Sequence, residues 1–330
     1  MLGASGSLGR RVCAAAERLL PDVRVLRAAR RGAGAGSLRA DLHAPASLRG
    51  AFEAADVAID AVGPFEYDPA PLVRAALAAG CAWIDLADRA AFLAAAEDAA
   101  RAAGAGAVVS GASAAPGLVE ALGAAIAPEG TASLRAWLSV GSRKEVSGAL
   151  LYALVRPLGR PLEDGTRSPG RVIARTLGGV PFWFGRHPWP RTGGGRGAGR
   201  AWRAELNIGM DHRAQARALA ALAPLAGRLP PALLLRACRA LRPATGAITR
   251  LGGERGALEV EALSSDGRTL ASATVLAAHG LDLAALPALF AARALLAPGA
   301  PRGALSLADL LPPPLLRTSL REAGWTMTGL

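Results

Sequence analysis

The sequence predicts an α/β fold in which helices cover a doubly wound parallel sheet. Short apolar runs alternate with longer Ala/Leu-rich helical stretches through residues 1–130 of the 330, the rhythm of strand–helix repeats. A glycine-rich turn, Gly3-Ala4-Ser5-Gly6-Ser7-Leu8-Gly9, opens the chain and leads directly into a helical stretch. Together these features are typical of a dinucleotide-binding (Rossmann) domain.

The remaining elements of this domain follow in order. A helix over 10–20 ends at Pro21, and each later apolar run predicts one strand. Helices are predicted over 70–79 and 90–103. The predicted strands are Val23–Leu26, Leu38–Leu42, Val57–Val62, Ala82–Leu86 and Ala107–Ser110.

The strand that should lead into the glycine turn is almost missing. Such a strand has about five residues and lies at the middle of the sheet, bonded on both sides. Only Met1 and Leu2 precede Gly3. We expect a sheet that lacks its central strand or builds it from two residues, and a chain truncated at its first strand by a late start.

The glycine turn itself predicts a pyrophosphate site. Glycines let the backbone approach a phosphate, whose charge is met by the open N–H groups of the helix start. A simple Gly-rich turn is the alternative, since the chain has 40 glycines. The residues expected to bind the cofactor here are Gly3, Ser5, Gly6, Ser7, Leu8 and Gly9.

The end of the second predicted strand indicates which dinucleotide binds. An acidic residue there would bind the ribose hydroxyl of NAD, but Arg30 and Arg31 stand instead and suit the 2′-phosphate of NADP. NADP is the predicted cofactor and NAD the weaker alternative. Asp41, after the third predicted strand, either approaches the adenine or caps a loop.

The ends of the later strands carry the other candidates, because ligands of open parallel sheets bind beyond the carboxyl ends of the strands. Gly63 permits close approach of a flat ring, and Pro64 fixes the turn. Asp85 is a candidate acid, base or orienting group for a substrate amine. Capping of the following helix is its alternative role.

In their order and spacing, these motifs resemble the saccharopine dehydrogenase-like oxidoreductases, a family with an NADP-binding Rossmann domain. The resemblance covers residues 1–125. The matching segments are Gly3–Gly9, Ala61-Val62-Gly63-Pro64-Phe65, Leu72–Leu86, Val108-Val109-Ser110-Gly111 and Ala115-Pro116-Gly117-Leu118.

The resemblance implies hydride transfer between NADPH and a carbonyl, imine or enoyl substrate. It implies that Ala61, Val62, Gly63 and Pro64 line the cofactor, the last three near its nicotinamide. It also implies that the segment around Asp85 and Gly111 closes the cleft. Two positions depart from the family pattern: Asp60 stands where an amide is usual, and Ala115 where an Asp is common.

From Ser133 the rhythm changes, and a second, α+β domain is predicted. The predicted division is 1–130 for the Rossmann domain, 131–282 for a substrate or dimerisation domain, and 283–330 for C-terminal helices. By the resemblance, these helices return to the Rossmann domain. The predicted elements are a strand Leu134–Val140, helices Ser147–Leu154, Ala214–Leu241 and Ala285–Leu296, and a hairpin of Leu258–Leu263 with Thr269–Ala277.

Two apolar segments of the second half allow two interpretations each. Aromatic residues between Pro181 and Pro190 pack a small core or line an apolar pocket. The segment Ala214–Leu241 is a packed helical element, or an amphipathic element for a membrane surface or a dimer.

A hydride-transfer site also needs a proton donor. Lys144 follows the predicted crossover strand, and a partly desolvated lysine acts near neutral pH; an ordinary surface lysine is the alternative. Lys144 is the only lysine, so the Tyr-x-x-x-Lys motif of short-chain dehydrogenases is absent and that class is excluded. Lys144 and Asp85 are the predicted catalytic residues, with Tyr67 and His187 as further candidates.

Composition excludes several partners. The net charge is +12, but the arginines are scattered and aromatic residues are only 4%, so we expect no nucleic acid. Three separated cysteines and four histidines lack metal-ligand spacing, which predicts no metal. No apolar run is long enough to span a membrane, and we expect a cytoplasmic protein with a small-molecule substrate. Peripheral membrane contact, a homodimer, and a non-catalytic dinucleotide-binding or membrane-surface role stay open.

Overall fold

The computed structural model describes residues 1–30, 37–42, 44, 46–143, 147–197, 199–248 and 252–330. Two of the predicted functional residues, Arg31 and Lys144, lie outside the described residues. The chain forms two compact units. Unit 1 comprises Met1–Ala125, Pro190–Ala201 and Ala284–Ala323, and unit 2 comprises Ile126–Trp189, Trp202–Leu283 and Gly324–Leu330.

The helices and strands alternate in the first third of the chain and again near its end. In chain order they are α1 (Ser7–Leu19), β1 (Ala28–Ala29), β2 (Leu38–Arg39), α2 (Ala46–Glu53), β3 (Val57–Asp60), α3 (Ala70–Ala78), β4 (Ala82–Asp85), α4 (Ala90–Ala103), β5 (Ala107–Val109), α5 (Val119–Ile126), β6 (Ser133–Ser139), α6 (Gly148–Val155), β7 (Ile173–Leu177), β8 (Val180–His187), β9 (Gly195–Gly197), β10 (Arg200–Met210), α7 (Arg213–Arg228), α8 (Pro231–Ile248), β11 (Gly256–Leu263), β12 (Thr269–Ala277), α9 (Gly280–Ala285), α10 (Pro287–Leu296), β13 (Gly303–Leu305), α11 (Leu307–Leu310), α12 (Pro313–Glu322) and β14 (Thr326–Thr328).

Unit 1 is built on a parallel sheet. Strands β3, β4, β5 and β13 pair side by side, and β1 pairs with β2, all in parallel. Leu2 joins the two groups, because it bridges Ala28 of β1 and Asp60 of β3. The resulting order, β2-β1-Leu2-β3-β4-β5-β13, is that of a doubly wound dinucleotide fold. The predicted α/β fold class is confirmed.

Two residues build the central position of this sheet, one of the two expected arrangements. The N–H of Leu2 donates to the carbonyl of Ile59 at 2.8 Å, and the N–H of Ala28 donates to the carbonyl of Met1 at 2.9 Å. Leu2 is buried, with 4% of its surface exposed. The central ladder is therefore two residues long and bonded on both sides.

The short central position explains why one predicted strand is wrong. Val23–Leu26 is not a strand; the pairing falls on Ala28–Ala29 instead. A parallel ladder needs a neighbour along its whole length. The carbonyl of Leu26 accepts a hydrogen bond from the backbone nitrogen of Met1, at 2.8 Å.

At the other edge, β13 is a strand that the sequence patterns do not predict. Gly303 pairs with Ala107 of β5, and three residues are too few to show a strand pattern in sequence.

Unit 2 is an α+β arrangement around a mostly antiparallel sheet. Its strands follow the order β14-β12-β11-β6-β10-β8-β7, in which β6 and β10 run parallel and the other described pairs antiparallel. Phe182 and Phe184 of β8 pack with Trp137 in a hydrophobic cluster, so the core interpretation is confirmed for these two phenylalanines. Helices α6, α7 and α8 form a second cluster around Tyr152 and Leu158.

One segment belongs to a different unit from the one predicted. Pro190–Ala201 lies in unit 1, whereas the sequence pattern assigns it to the second domain. The physical reason is a set of ion pairs from Arg191 and Arg196 to glutamates of unit 1. Within the described residues, no helix combines the length and apolarity needed to cross a bilayer.

Candidate functional site

The glycine turn lies between the central Leu2 and helix α1, and its geometry requires glycine at two positions. Gly3 has φ +72°, and a Cβ there would lie 3.0 Å from the side chain of Val62 and 3.1 Å from the backbone of Ala61. A Cβ at Gly9 would lie 2.1 Å from the carbonyl oxygen of Gly3. The turn is therefore closed too tightly for any side chain at position 9.

The first turn of α1 presents open backbone N–H groups. The N–H of Arg10 is the first to bond along the helix, to the carbonyl of Gly6 at 2.9 Å. Residues 7 to 9 precede it, and no side-chain hydrogen bond caps the helix at Gly6 within the described residues. Such a helix start carries a partial positive charge and favours an anion.

The structure brings two parts of the predicted cofactor set together. Ala61 and Val62 lie against Gly3, at the carboxyl end of β3, and Gly63 and Pro64 continue from them. Ser5 and Ser7 belong to the same turn. The glycine turn and the Ala61–Pro64 segment thus meet at the carboxyl end of β3.

The residues predicted to bind the adenosine part of the cofactor, and so to distinguish NADP from NAD, lie near the ends of β1 and β2. Arg30 is exposed and directly follows the β1 strand. Asp41 follows β2, and its backbone N–H donates to Oγ of Ser47 at 3.0 Å. This contact involves only the backbone of Asp41, so the adenine and loop-capping interpretations both stay predictions.

Buried Asp60 and half-buried Tyr67 form a hydrogen-bonded pair beside the Ala61–Pro64 segment. The Tyr67 hydroxyl donates to Oδ2 of Asp60, and the N–H of Val62 donates to Oδ1 at 2.9 Å. Burial raises the pKa of Asp60 to about 7; the bonds from Tyr67 and Val62 oppose the rise, and neighbouring Asp85 adds to it. Tyr67 was one of the candidate donors, but its partner could not be read from the sequence.

Asp85 lies in register with Asp60 on the adjacent strand and is fully buried. Its Oδ1 accepts the N–H groups of Gly111 at 2.9 Å and Ala87 at 3.1 Å, and its Oδ2 accepts Nε1–H of Trp83 at 3.1 Å. Burial raises its pKa, and these hydrogen bonds oppose the rise. The carboxylate thereby joins the ends of β4 and β5; its catalytic role stays a prediction.

A buried charge cluster lies near the end of β5, and the sequence patterns do not predict it. Arg191 donates to Oε1 of Glu120 at 3.0 Å, to Glu97, and to the carbonyl of Ser110 at 3.3 Å. Arg196 also donates to Glu97, at 2.6 Å. Burial raises the pKa of Glu120, and the charge of Arg191 opposes the rise. Glu97 is the residue that could have indicated this cluster, because it is a charged residue among alanines and Leu93 on the buried face of α4.

His187, the remaining candidate donor, lies in unit 2. It is 7% exposed, and burial lowers its pKa to about 4. Its Nδ1 has no hydrogen-bond partner within the described residues. Around it is a small, mainly apolar cavity that includes Trp183, Ile208 and Met210. His187 is therefore neutral at pH 7.

The described residues hold no group of three or more His, Cys, Asp or Glu side chains placed to bind a metal ion.

Comparison with known proteins gives similar solved structures and no family. No protein-family model matches the chain, and no curated protein matches it. The chain is similar to the crystal structure of a "putative oxidoreductase" from Magnetospirillum magnetotacticum MS-1, with 14% identity over 98% of this chain and 96% of that chain. The TM-score is 0.37, too low for the match to bear on function.

Proposed function

We propose that this chain is an NADP-dependent oxidoreductase of the saccharopine dehydrogenase-like type, and that unit 1 binds the dinucleotide. The observation that supports this most directly is the glycine turn. It closes on Gly3 and Gly9, packs against Ala61 and Val62, and opens helix α1 at the middle of a doubly wound sheet.

The residues of unit 1 fit NADP in three respects. The turn carries glycine where a Cβ would collide with backbone, as close approach to a pyrophosphate requires. The uncapped start of α1 offers N–H donors to an anion. Arg30 is exposed directly after β1, where a guanidinium suits a 2′-phosphate. When bound, NADPH supplies a hydride to a carbonyl, imine or enoyl carbon.

The chain itself must then position a proton. The pair of Asp60 and Tyr67 lies just before and after the Ala61–Pro64 segment. With a pKa of about 7, the Asp60 carboxyl holds or releases a proton near neutral pH, at the oxygen that accepts the Tyr67 hydroxyl. We propose this pair as a proton reservoir, in addition to the predicted residues Lys144 and Asp85.

Nucleotide titration of the full chain tests the proposal. We expect NADPH to quench the fluorescence of the six tryptophans and to raise the melting temperature, and NADH to do so more weakly. Gly9→Ala should abolish both effects, because its Cβ would meet the Gly3 carbonyl. Gly50→Ala is the matched control, since nothing lies within 4 Å of a Cβ there.

Arg30→Ala changes an exposed residue and tests the proposal even if Gly9→Ala fails to fold. Arg30→Ala should weaken NADPH about tenfold or more, the loss of one charge-assisted hydrogen bond, and leave NADH unchanged. The proposal is wrong if the folded chain binds neither nucleotide, or if Gly9→Ala binds as well as Gly50→Ala does.

One observation favours a second function, that of a non-catalytic dinucleotide-binding protein. Ala115 is buried at 6% exposure and stands where the resembling family commonly has an Asp. A panel of carbonyl, imine and enoyl compounds separates the two functions. NADPH oxidation with any of them supports the enzyme, and tight NADPH binding without oxidation supports the binding protein.

A further inference from the structure

Helices α7 and α8 of unit 2 carry positive charge and no negative charge. Residues 213–248 contain six arginines and no Asp, Glu or Lys, so this stretch alone accounts for +6 of the chain's net +12. Five of these arginines are exposed in the structure. They are Arg213, Arg217, Arg228, Arg236 and Arg239.

The same two helices also expose leucines. Leu222 and Leu225 of α7 are 47% and 58% exposed, and Leu233 and Leu241 of α8 are 50% and 57% exposed. These values exceed those of Leu296 and Leu315, exposed leucines of unit 1, at 38% and 36%. Two of the leucines, Leu222 and Leu225, stand three residues apart and so share one side of α7.

The exposed leucines are not part of the buried cluster that packs the two helices. Other side chains of α7 and α8 are buried against α6, among them Ala223, Ala226, Leu234 and Cys238, which cluster with Tyr152. Both helices therefore combine buried side chains with exposed ones. We call the exposed set of four leucines and five arginines the Leu–Arg face.

We propose that the Leu–Arg face binds the surface of an anionic lipid bilayer. Leucine side chains enter the boundary between headgroups and acyl chains, while arginines stay at the level of the phosphates. Each arginine near such a surface strengthens the attraction. The combination of exposed apolar side chains with purely basic charge matches both layers of this partner.

Charge and composition favour the bilayer over three other partners. A second copy of this face would bring arginines against arginines, which repel. A nucleic acid would meet the arginines but leave the leucines in water, and residues 213–248 contain no aromatic side chain for base stacking. A zwitterionic bilayer would lack the net negative charge. The inference is independent of whether unit 1 binds NADPH.

Vesicle flotation of the full chain tests this inference. In buffer of about 0.15 M salt, we expect the protein to float with vesicles of phosphatidylcholine mixed with phosphatidylglycerol. Binding to pure phosphatidylcholine should be weaker by about tenfold or more. The variant Leu222→Gln/Leu225→Gln/Leu233→Gln/Leu241→Gln keeps every charge and should lose binding to the mixed vesicles by about tenfold or more.

Two control variants distinguish binding by the Leu–Arg face from the general electrostatic attraction between anionic vesicles and a chain of net charge +12. Leu296→Gln/Leu315→Gln removes exposed leucines elsewhere and should bind as the parent chain does. Arg217→Gln/Arg236→Gln should lose the preference for anionic vesicles, whereas Arg49→Gln/Arg74→Gln, also exposed, should keep it. Circular dichroism and melting temperature must match the parent chain for each variant that is compared.

Several results would overturn the proposal. It fails if the parent chain does not float, or if the four-leucine variant floats as well as the parent. It also fails if light scattering shows a dimer that only the four-leucine variant disrupts, because the face would then bind a second copy. Oligonucleotide binding that is lost in Arg217→Gln/Arg236→Gln but retained in the four-leucine variant would assign the face to nucleic acid instead.

Discussion

The Tyr67 hydroxyl donates a hydrogen bond to Oδ2 of Asp60, a carboxyl fully buried at the end of β3. Asp85 stands in register beside Asp60 on β4 and is buried as completely. Two carboxyls thus lie side by side in one water-excluded layer. Desolvation disfavours the ionised form of each, and the second charge adds to that cost.

Asp60 should therefore make the chain less stable as the pH rises. Its pKa is raised from an ordinary value of 3.8 to about 7, so between these values the folded state holds more protons than the unfolded state. The free energy of unfolding falls across that window. Asp60→Asn cannot ionise, and its stability relative to the parent should grow by on the order of 4 kcal/mol between about pH 4 and 7. Urea denaturation at several pH values measures this difference.

Tyr67→Phe gives the matching control. This variant lacks the hydroxyl whose hydrogen bond favours the ionised form of Asp60, so the pKa of Asp60 should rise further. The fall in the free energy of unfolding should then extend to a higher pH than in the parent chain. If Asp60→Asn shows the same pH dependence as the parent chain, Asp60 does not titrate in this range and the proposed proton reservoir is excluded.

Asp85 can be tested for a structural role by its contact with Trp83. In Asp85→Asn, Nδ2 would face Nε1–H of Trp83, so two donors would meet in a buried site. We expect a loss of about 1–3 kcal/mol in the free energy of unfolding. Trp83→Phe removes the second donor at the price of a cavity.

The combined Asp85→Asn/Trp83→Phe variant should lose less stability than the sum of the two single losses, a coupling that thermal or urea denaturation resolves. Additive losses would show that this hydrogen bond contributes nothing measurable. Full NADPH oxidation in a stable Asp85→Asn protein would remove Asp85 from the catalytic candidates.

The local motifs of both units could be predicted because each is encoded within a few consecutive residues. The glycine turn, the helix over 90–103 and the β11–β12 hairpin are of this kind. The two-residue central position is one of the two arrangements expected from counting the residues before Gly3. These predictions needed no knowledge of distant contacts.

What could not be predicted depends on partners far apart in the chain. Arg191 meets Glu97 and Glu120, 94 and 71 residues away, and nothing around Arg191 distinguishes it from 36 other arginines. The predicted strand Val23–Leu26 is wrong for a related reason. Its apolar residues are typical of a strand, but the neighbouring central segment of the sheet is too short to pair with it. The length of a strand pair depends on both segments, whereas a sequence pattern describes only one of them.

Arg191 is buried beside two glutamates, and its replacement should destabilise unit 1 strongly. Arg191→Met leaves Glu97 and Glu120 buried with one cation fewer, and loss of a partner from a buried ion pair costs about 3–5 kcal/mol. The loss should shrink as the pH falls, because burial raises the pKa of Glu120 and Arg191 would no longer oppose the rise. Arg27→Met is the control: its pair with Glu17 is exposed, and about 1 kcal/mol or less should be lost. Equal losses in the two variants would contradict a buried cluster.

His187 should limit stability in acid. Burial lowers its pKa from 6.5 to about 4, so between these values the unfolded state binds the extra proton and the folded state does not. Stability is fully present above about pH 6.5 and is lost toward pH 4, by on the order of 3 kcal/mol. His187→Gln should remove this part of the acid slope. His279→Gln should retain it, because His279 is 54% exposed beside Glu254. Urea denaturation between pH 4 and 7 compares the three proteins, and an unchanged acid slope in His187→Gln would mean that His187 reaches water.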